Sequence, residues 1–178
     1  MITSPRLQLR PWRPGDLDDL VALNSDPQVF CWLGGPGLID GSVAALARYQ
    51  VQFAANGYGV FHVADHAGRF LGLAGLQPVG EGLPTYPATE AVWRFGSAYW
   101  WNGFAFEAVT AVLDALPPQA PDALIAAIAD PNLRSARLAE RLGFVHAPEA
   151  DYLHPDASLE AALRPHRVFR LARNRPDL

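Results

Sequence analysis

Tyr99-Trp100-Trp101-Asn102-Gly103-Phe104-Ala105-Phe106-Glu107-Ala108 reads as a turn that opens a helix, and Asp130-Pro131-Asn132-Leu133-Arg134-Ser135 reads as a second opening further on. A Gly-x-Ala step at a helix start leaves backbone N–H groups unpaired at the positive end of the helix dipole, where an anion can approach closely. The first opening is therefore an anion cradle. The second offers a side-chain amide and a hydroxyl to a neighbouring site.

The chain that carries these openings has 178 residues, 50% of them hydrophobic and 18% charged, enough for one well-buried core and too short for two; a single domain over residues 1–178 is expected. All 14 basic residues are arginine, scattered along the chain, and the formal net charge is -4. That distribution argues against nucleic acid, which needs a clustered basic face. Apolar runs are broken by Gly, Pro or charge before the ~18 residues of a membrane span, and the first residues lack a signal-peptide layout. A soluble cytoplasmic protein with no membrane partner is expected. The single cysteine, Cys31, excludes an intramolecular disulfide and a multi-cysteine metal site, and reads as a small apolar residue.

Outward from the two openings, periodicity orders the chain. Leu7 and Leu9 alternate with polar residues as in a half-buried strand, and Leu17, Leu20, Val21 and Leu23 share one helical face. A second helix runs over Val43–Ala54, closed by Asn56 and Gly57. Val60–Ala64 and Phe70–Gln77 form a hairpin around Asp65–Arg69, and a Gly/Pro-rich excursion, Gly80–Pro87, delays the strand Thr89–Phe95 by enough residues to reach over a cleft. The Gly103 helix ends before Pro117, Ala123–Ala129 is a strand buried on both faces, and Asp130 caps a helix with Gly143 just past its end. A last strand lies near Val168–Leu171.

This order, the Gly-x-Ala opening and the run Asn132–Phe144 resemble the GNAT acetyltransferases, in the branch similar to ribosomal-protein N-terminal acetyltransferases. The first strand, Arg6–Trp12, and the last, His166–Leu171, resemble the family's terminal strands, so the likeness covers nearly the whole chain. It implies an α/β (α+β) fold, a mixed central sheet with splayed strands flanked by helices, and a cytoplasmic enzyme that moves an acetyl group from acetyl-CoA to a primary amine. The resemblance places the CoA pyrophosphate at Trp100, Trp101, Asn102, Gly103, Phe104 and Ala105, and the pantetheine arm along the strand end at Phe95. Gly103 and Ala105 match the family pattern, Trp100 takes its first place, and Trp101 stands where relatives often have glycine. A homodimer is an expectation from the resemblance alone.

Acetyl transfer to an amine needs a neutral nucleophile and a proton for the departing thiolate. Glu90 is the candidate base; the other reading is a structural carboxylate paired with an arginine such as Arg94. Ser135 shares a helical face with Leu138 and Leu142 and is the candidate acid or thiol contact, unless it bonds its own backbone. Asn132 resembles the family asparagine that contacts pantetheine or fixes the adjoining strand, its other reading being a local cap, a place assigned to Asp130, and Arg137 is a candidate for the nucleotide phosphates or a solvated surface residue. Trp32 is a candidate acceptor-pocket wall and His154 a candidate acceptor-side residue, as is His166; each also fits a purely structural role. No metal is expected. A non-catalytic acyl-CoA binding or sensing module of the same fold is the rival reading.

Overall fold

A computed structural model describes residues 1–172. The chain forms two compact units, one of Met1–Leu76 with Val92–Pro117 and one of Gln77–Ala91 with Pro118 onward.

In the first unit, β1 (Ile2–Thr3), β2 (Leu7–Arg10), β3 (Val60–Asp65) and β4 (Phe70–Pro78, whose last two residues belong to the second unit) are hydrogen-bonded antiparallel in that order. The alternation in β2 is the expected one, with Leu7 and Leu9 fully buried. Helices α1 (Leu17–Asn24), α2 (Pro27–Phe30), α3 (Gly37–Asp40), α4 (Ser42–Asn56) and α5 (Phe104–Asp114) complete this unit. Trp12, Leu20, Leu23, Val29, Tyr49 and Val60 pack into its core, with Trp100 against them. Cys31 follows α2 and is exposed.

In the second unit, β5 (Thr89–Phe95, ending in the first unit) pairs parallel with β6 (Ala123–Ala129) at Glu90↔Ile125. Strand β6 runs antiparallel to β9 (Pro165–Ala172) from Ala123↔Ala172 to Ala129↔His166, and β9 also holds β7 (Val145–His146) and β8 (Tyr152–Leu153). A mixed, mostly antiparallel sheet with helices is the expected class. The neck of the excursion after β4 is closed by Val79 N–H donating to the Ala88 carbonyl at 2.9 Å, and Leu83 packs against Val79, Ile125 and Val168, because an apolar residue inside a polar loop gains by burial.

Helix α6 (Leu133–Arg141) corrects the assignment of its cap. Asn132, not Asp130, is the N-cap, its Oδ1 accepting the Ser135 N–H at 3.2 Å. Asp130 is drawn off by Arg167, whose Nε lies 2.8 Å from its carboxylate. The deepest face of α6 is Ala136 and Ala139 rather than the line of Ser135, Leu138 and Leu142, which is half-buried; alanine lets the helix sit closest to its neighbours. The C-terminal end is as expected, with Gly143 at φ 89.

Close backbone approach fixes where β5 begins its path in the first unit. A Cβ built on Gly72 of β4 would lie 2.2 Å from the Arg94 carbonyl and 2.7 Å from Phe95 Cα. Backbone cannot give way as a flexible side chain can. Gly72→Ala is expected to cost about 1–3 kcal/mol, as overpacking does, read as a lower urea midpoint at unchanged slope.

Candidate active site

Glu90 is partly buried on β5 and held by two uncharged donors, Gln77 Nε2 at 3.1 Å and the Ala127 N–H at 3.4 Å. Burial pushes its carboxyl above the ordinary glutamate value, and the two hydrogen bonds oppose this only in part. The alternative, a carboxylate neutralised by an arginine, is not what either side chain does: Arg94 donates to Asn24 Oδ1. A carboxyl raised by desolvation is suited to accept a proton. Tyr152 on β8 feels the same charge. Burial first and then Glu90 push its hydroxyl up to about 12, so it remains a proton donor throughout the physiological range.

Gln77 and Tyr152 were not singled out from sequence. Gln77 lies near the end of a β-rich run, and Tyr152 lies in a two-residue strand too short to give a periodic signal.

His154 and His166 come together as part of an aromatic stack. His166 lies 5.3 Å from Tyr152 at 17° and 5.2 Å from His154. Burial, followed by the charge of His166, pushes His154 below the ordinary histidine value, so it is neutral near pH 7. The His166 Nδ1 donates to the Arg164 carbonyl at 3.0 Å. A cleft of about 330 Å³ is lined by Asp130, Asp151, Tyr152, Leu153, Pro165, His166 and Arg167. Ser135 and Asn132 stand together in the first turn of α6, and Arg137 is exposed one turn on.

In the first unit, the turn before α5 has the backbone of an anion cradle. Gly103 is the N-cap at φ 76, and no side chain caps the helix. Arg6 stands beside it, donating through Nη1 to the Asn102 carbonyl at 2.9 Å, lying 4.6 Å over the Phe104 ring and pairing through Nε with Glu107 at 2.6 Å. Its place was hidden from sequence because it reads there only as the polar partner of Leu7. Trp100 anchors the turn, its Nε1 donating to the Phe95 carbonyl at 2.7 Å. Trp101 is 84% exposed at φ 68, the left-handed region that favours glycine. Trp32, half-buried after α2, is held by its N–H on the Val29 carbonyl.

The one group of potential metal ligands among the described residues, Asp16, Asp19 and His62, already holds a cation of the protein. Arg10 places Nη1 and Nη2 at 2.6 and 2.8 Å from the Asp16 carboxylate.

The chain belongs to the GNAT acetyltransferase family: the Acetyltransferase (GNAT) domain model matches residues 6–145. Among solved structures it is similar to a Bordetella pertussis protein assigned to the GnaT acetyltransferase family, at 27% identity over 96% of this chain and 98% of that one, TM-score 0.77. The fold also matches a Vibrio cholerae spermidine N-acetyltransferase in complex with CoA and spermine, at 18% identity, TM-score 0.73, over 96% and 97% of the two chains. It matches RimL, a ribosomal L7/L12 alpha-N-protein acetyltransferase in complex with coenzyme A, at 13% identity, TM-score 0.74, over 96% of each. No helix among the described residues is long and apolar enough to cross a membrane.

A non-glycine residue held in the left-handed region is strained by roughly 1–2 kcal/mol. Trp101→Gly is therefore expected to raise stability by up to about 1 kcal/mol, once the extra freedom of glycine in the unfolded chain is subtracted. Urea unfolding of the two proteins measures this.

Proposed function

We propose that this chain is a cytoplasmic N-acetyltransferase, a single functional domain over residues 1–178, that moves the acetyl group of acetyl-CoA directly to a primary amine. The observation that carries the reading is Glu90, a partly buried carboxyl with uncharged partners and a raised proton affinity. The co-substrate supplies an acetyl group already activated as a thioester, so no covalent enzyme intermediate is needed.

The chain's own residues do the rest. Glu90 accepts the proton released by the amine, directly or through one water. Ser135 and the Tyr152 hydroxyl are the donors available to the departing thiolate, which needs little help given a thiol pKa near ~8.5. The uncapped start of α5 with Arg6 fits a pyrophosphate, because backbone N–H groups and a guanidinium both suit phosphate oxygens. Trp100, Trp101, Asn102, Phe104 and Ala105 line that turn, and Phe95, Asn132 and Arg137 are the remaining co-substrate residues. Trp32 and His154 serve the acceptor. The similarity to enzymes that act on spermidine and on a ribosomal protein supports an amine acceptor.

Titration with acetyl-CoA by calorimetry, followed by thiol release with a panel of amines, tests the reading. Binding and turnover are expected; binding without turnover on any amine indicates a non-catalytic sensing module, and no binding contradicts both readings. Glu90→Gln separates base from scaffold. Below the pKa values of both Glu90 and the amine, two protons must be lost before reaction, so log kcat/KM rises with a slope of two; the variant should rise with a slope of one and lose at least about tenfold in rate. Its stability near pH 7 should hold or increase, because a carboxyl whose folded pKa is raised destabilises the fold as pH rises through that value. Cys31→Ala, which removes an exposed thiol that direct transfer does not use, is expected to leave kcat unchanged; a loss beyond about tenfold would contradict direct transfer.

A further inference from the structure

Arg94 is a guanidinium held inside the first unit without an acid. It sits on β5, keeps part of its surface accessible, and donates through Nη1 to Asn24 Oδ1. Asn24 is only 1% exposed, and its own Nδ2 donates to Ser42 Oγ at 2.9 Å and toward the Leu38 carbonyl at 3.4 Å. That arrangement fixes the amide so that its oxygen faces the arginine. The network reaches one end of the guanidinium, and no carboxylate pairs with the rest of its fork of donors among the described residues.

Five of the acids of this unit are committed elsewhere. Asp16 is taken by Arg10, Asp65 by Arg69 and Glu107 by Arg6; Asp19 bonds His62 at 2.8 Å, and Asp26 accepts the N–H groups of Ser97 and Gln28. Burial pushes Arg94 below the ordinary arginine value, opposed only by Tyr49. Even so, arginine remains charged in proteins. A buried charge with a neutral amide as its partner is costly, and arginine is the side chain best shaped to take a planar or tetrahedral oxyanion in paired hydrogen bonds.

We propose that Arg94 binds an oxyanion carried by the acceptor, so that the substrate is an amine bearing a carboxylate or a phosphate group rather than a polyamine. This rests on the acetyltransferase reading. Asn24 acts as the positioning residue, holding the guanidinium so that its outer edge meets the incoming anion. A polyamine would bring further positive charge toward a cation that no acid offsets.

Matched acceptors test this: L-leucine beside L-leucinamide, phosphoethanolamine beside ethanolamine, and spermidine, each with the wild-type protein, Arg94→Gln and Arg94→Lys. The wild type should prefer one anionic member over its neutral partner by at least about tenfold in kcat/KM, as expected for a hydrogen bond to a charged group. Which pair shows the preference distinguishes carboxylate from phosphate. Arg94→Gln should erase it by raising KM for the anionic member while KM for acetyl-CoA holds, and Arg94→Lys should keep part of it.

Equal use of the neutral members or of spermidine by the wild type would overturn the proposal. So would an Arg94→Gln effect confined to KM for acetyl-CoA, which would give the guanidinium to the co-substrate. Thermal shifts of the wild type serve where a variant fails to fold: stabilisation by leucine or phosphoethanolamine and not by the neutral partner supports the site, and its absence contradicts it. If no amine is acetylated, the acetyltransferase reading fails, and the same thermal shifts still decide the anion site.

Discussion

Withdrawing a carboxyl from water without giving it a cation is the constraint around which the second unit is arranged. Glu90 receives one bond from a side-chain amide and one from a backbone N–H, and both are uncharged. Desolvation therefore outweighs the bonds, and proton affinity rises. An ion pair at the same place would have had the opposite effect. Gln77 is essential to this balance, since it gives the oxygen a partner without neutralising it. Tyr152 shares in the result, its hydroxyl held protonated by burial and by the Glu90 charge.

The first unit has its own opening in the backbone at α5, where Gly103 turns the chain left-handed and no side chain caps the helix start. Trp101 adopts the same handedness without being glycine, so the turn's geometry is kept although the residue that makes it easiest is absent. Trp100 supplies part of the restoring force, bonded to the Phe95 carbonyl and packed on the core. Arg6 and Arg94 bring positive charge of two kinds: Arg6 is offset by Glu107, while Arg94 has only the Asn24 amide.

Much of the fold was legible because its signals are local. Leu7 and Leu9 alternate and are buried, Ala123–Ala129 is a continuous apolar run and is a central strand, and Gly143 stands past a helix end with the left-handed angle that ends helices. What sequence could not supply was competition between side chains distant in the chain. Asp130 is as good a cap as Asn132 by type, yet Arg167 on β9 takes it, and the cap moves two residues on. Glu90 was legible as a candidate, but its partner Gln77 was not, since nothing in a strand pattern reveals which amide faces which carboxyl. Arg94 read as a possible counter-ion until the Asn24–Ser42 network gave it a neutral partner.

The central claim is that Glu90 carries a proton affinity raised by burial, and a carbon-13 NMR titration of its side-chain carboxyl measures this directly. The account predicts a midpoint above the ordinary glutamate value of ~4.3. It also predicts a further rise in Gln77→Leu, where one of the two bonds that favour the charged form is lost. A midpoint at or below the ordinary value, or one that falls when Gln77 is replaced, would contradict it.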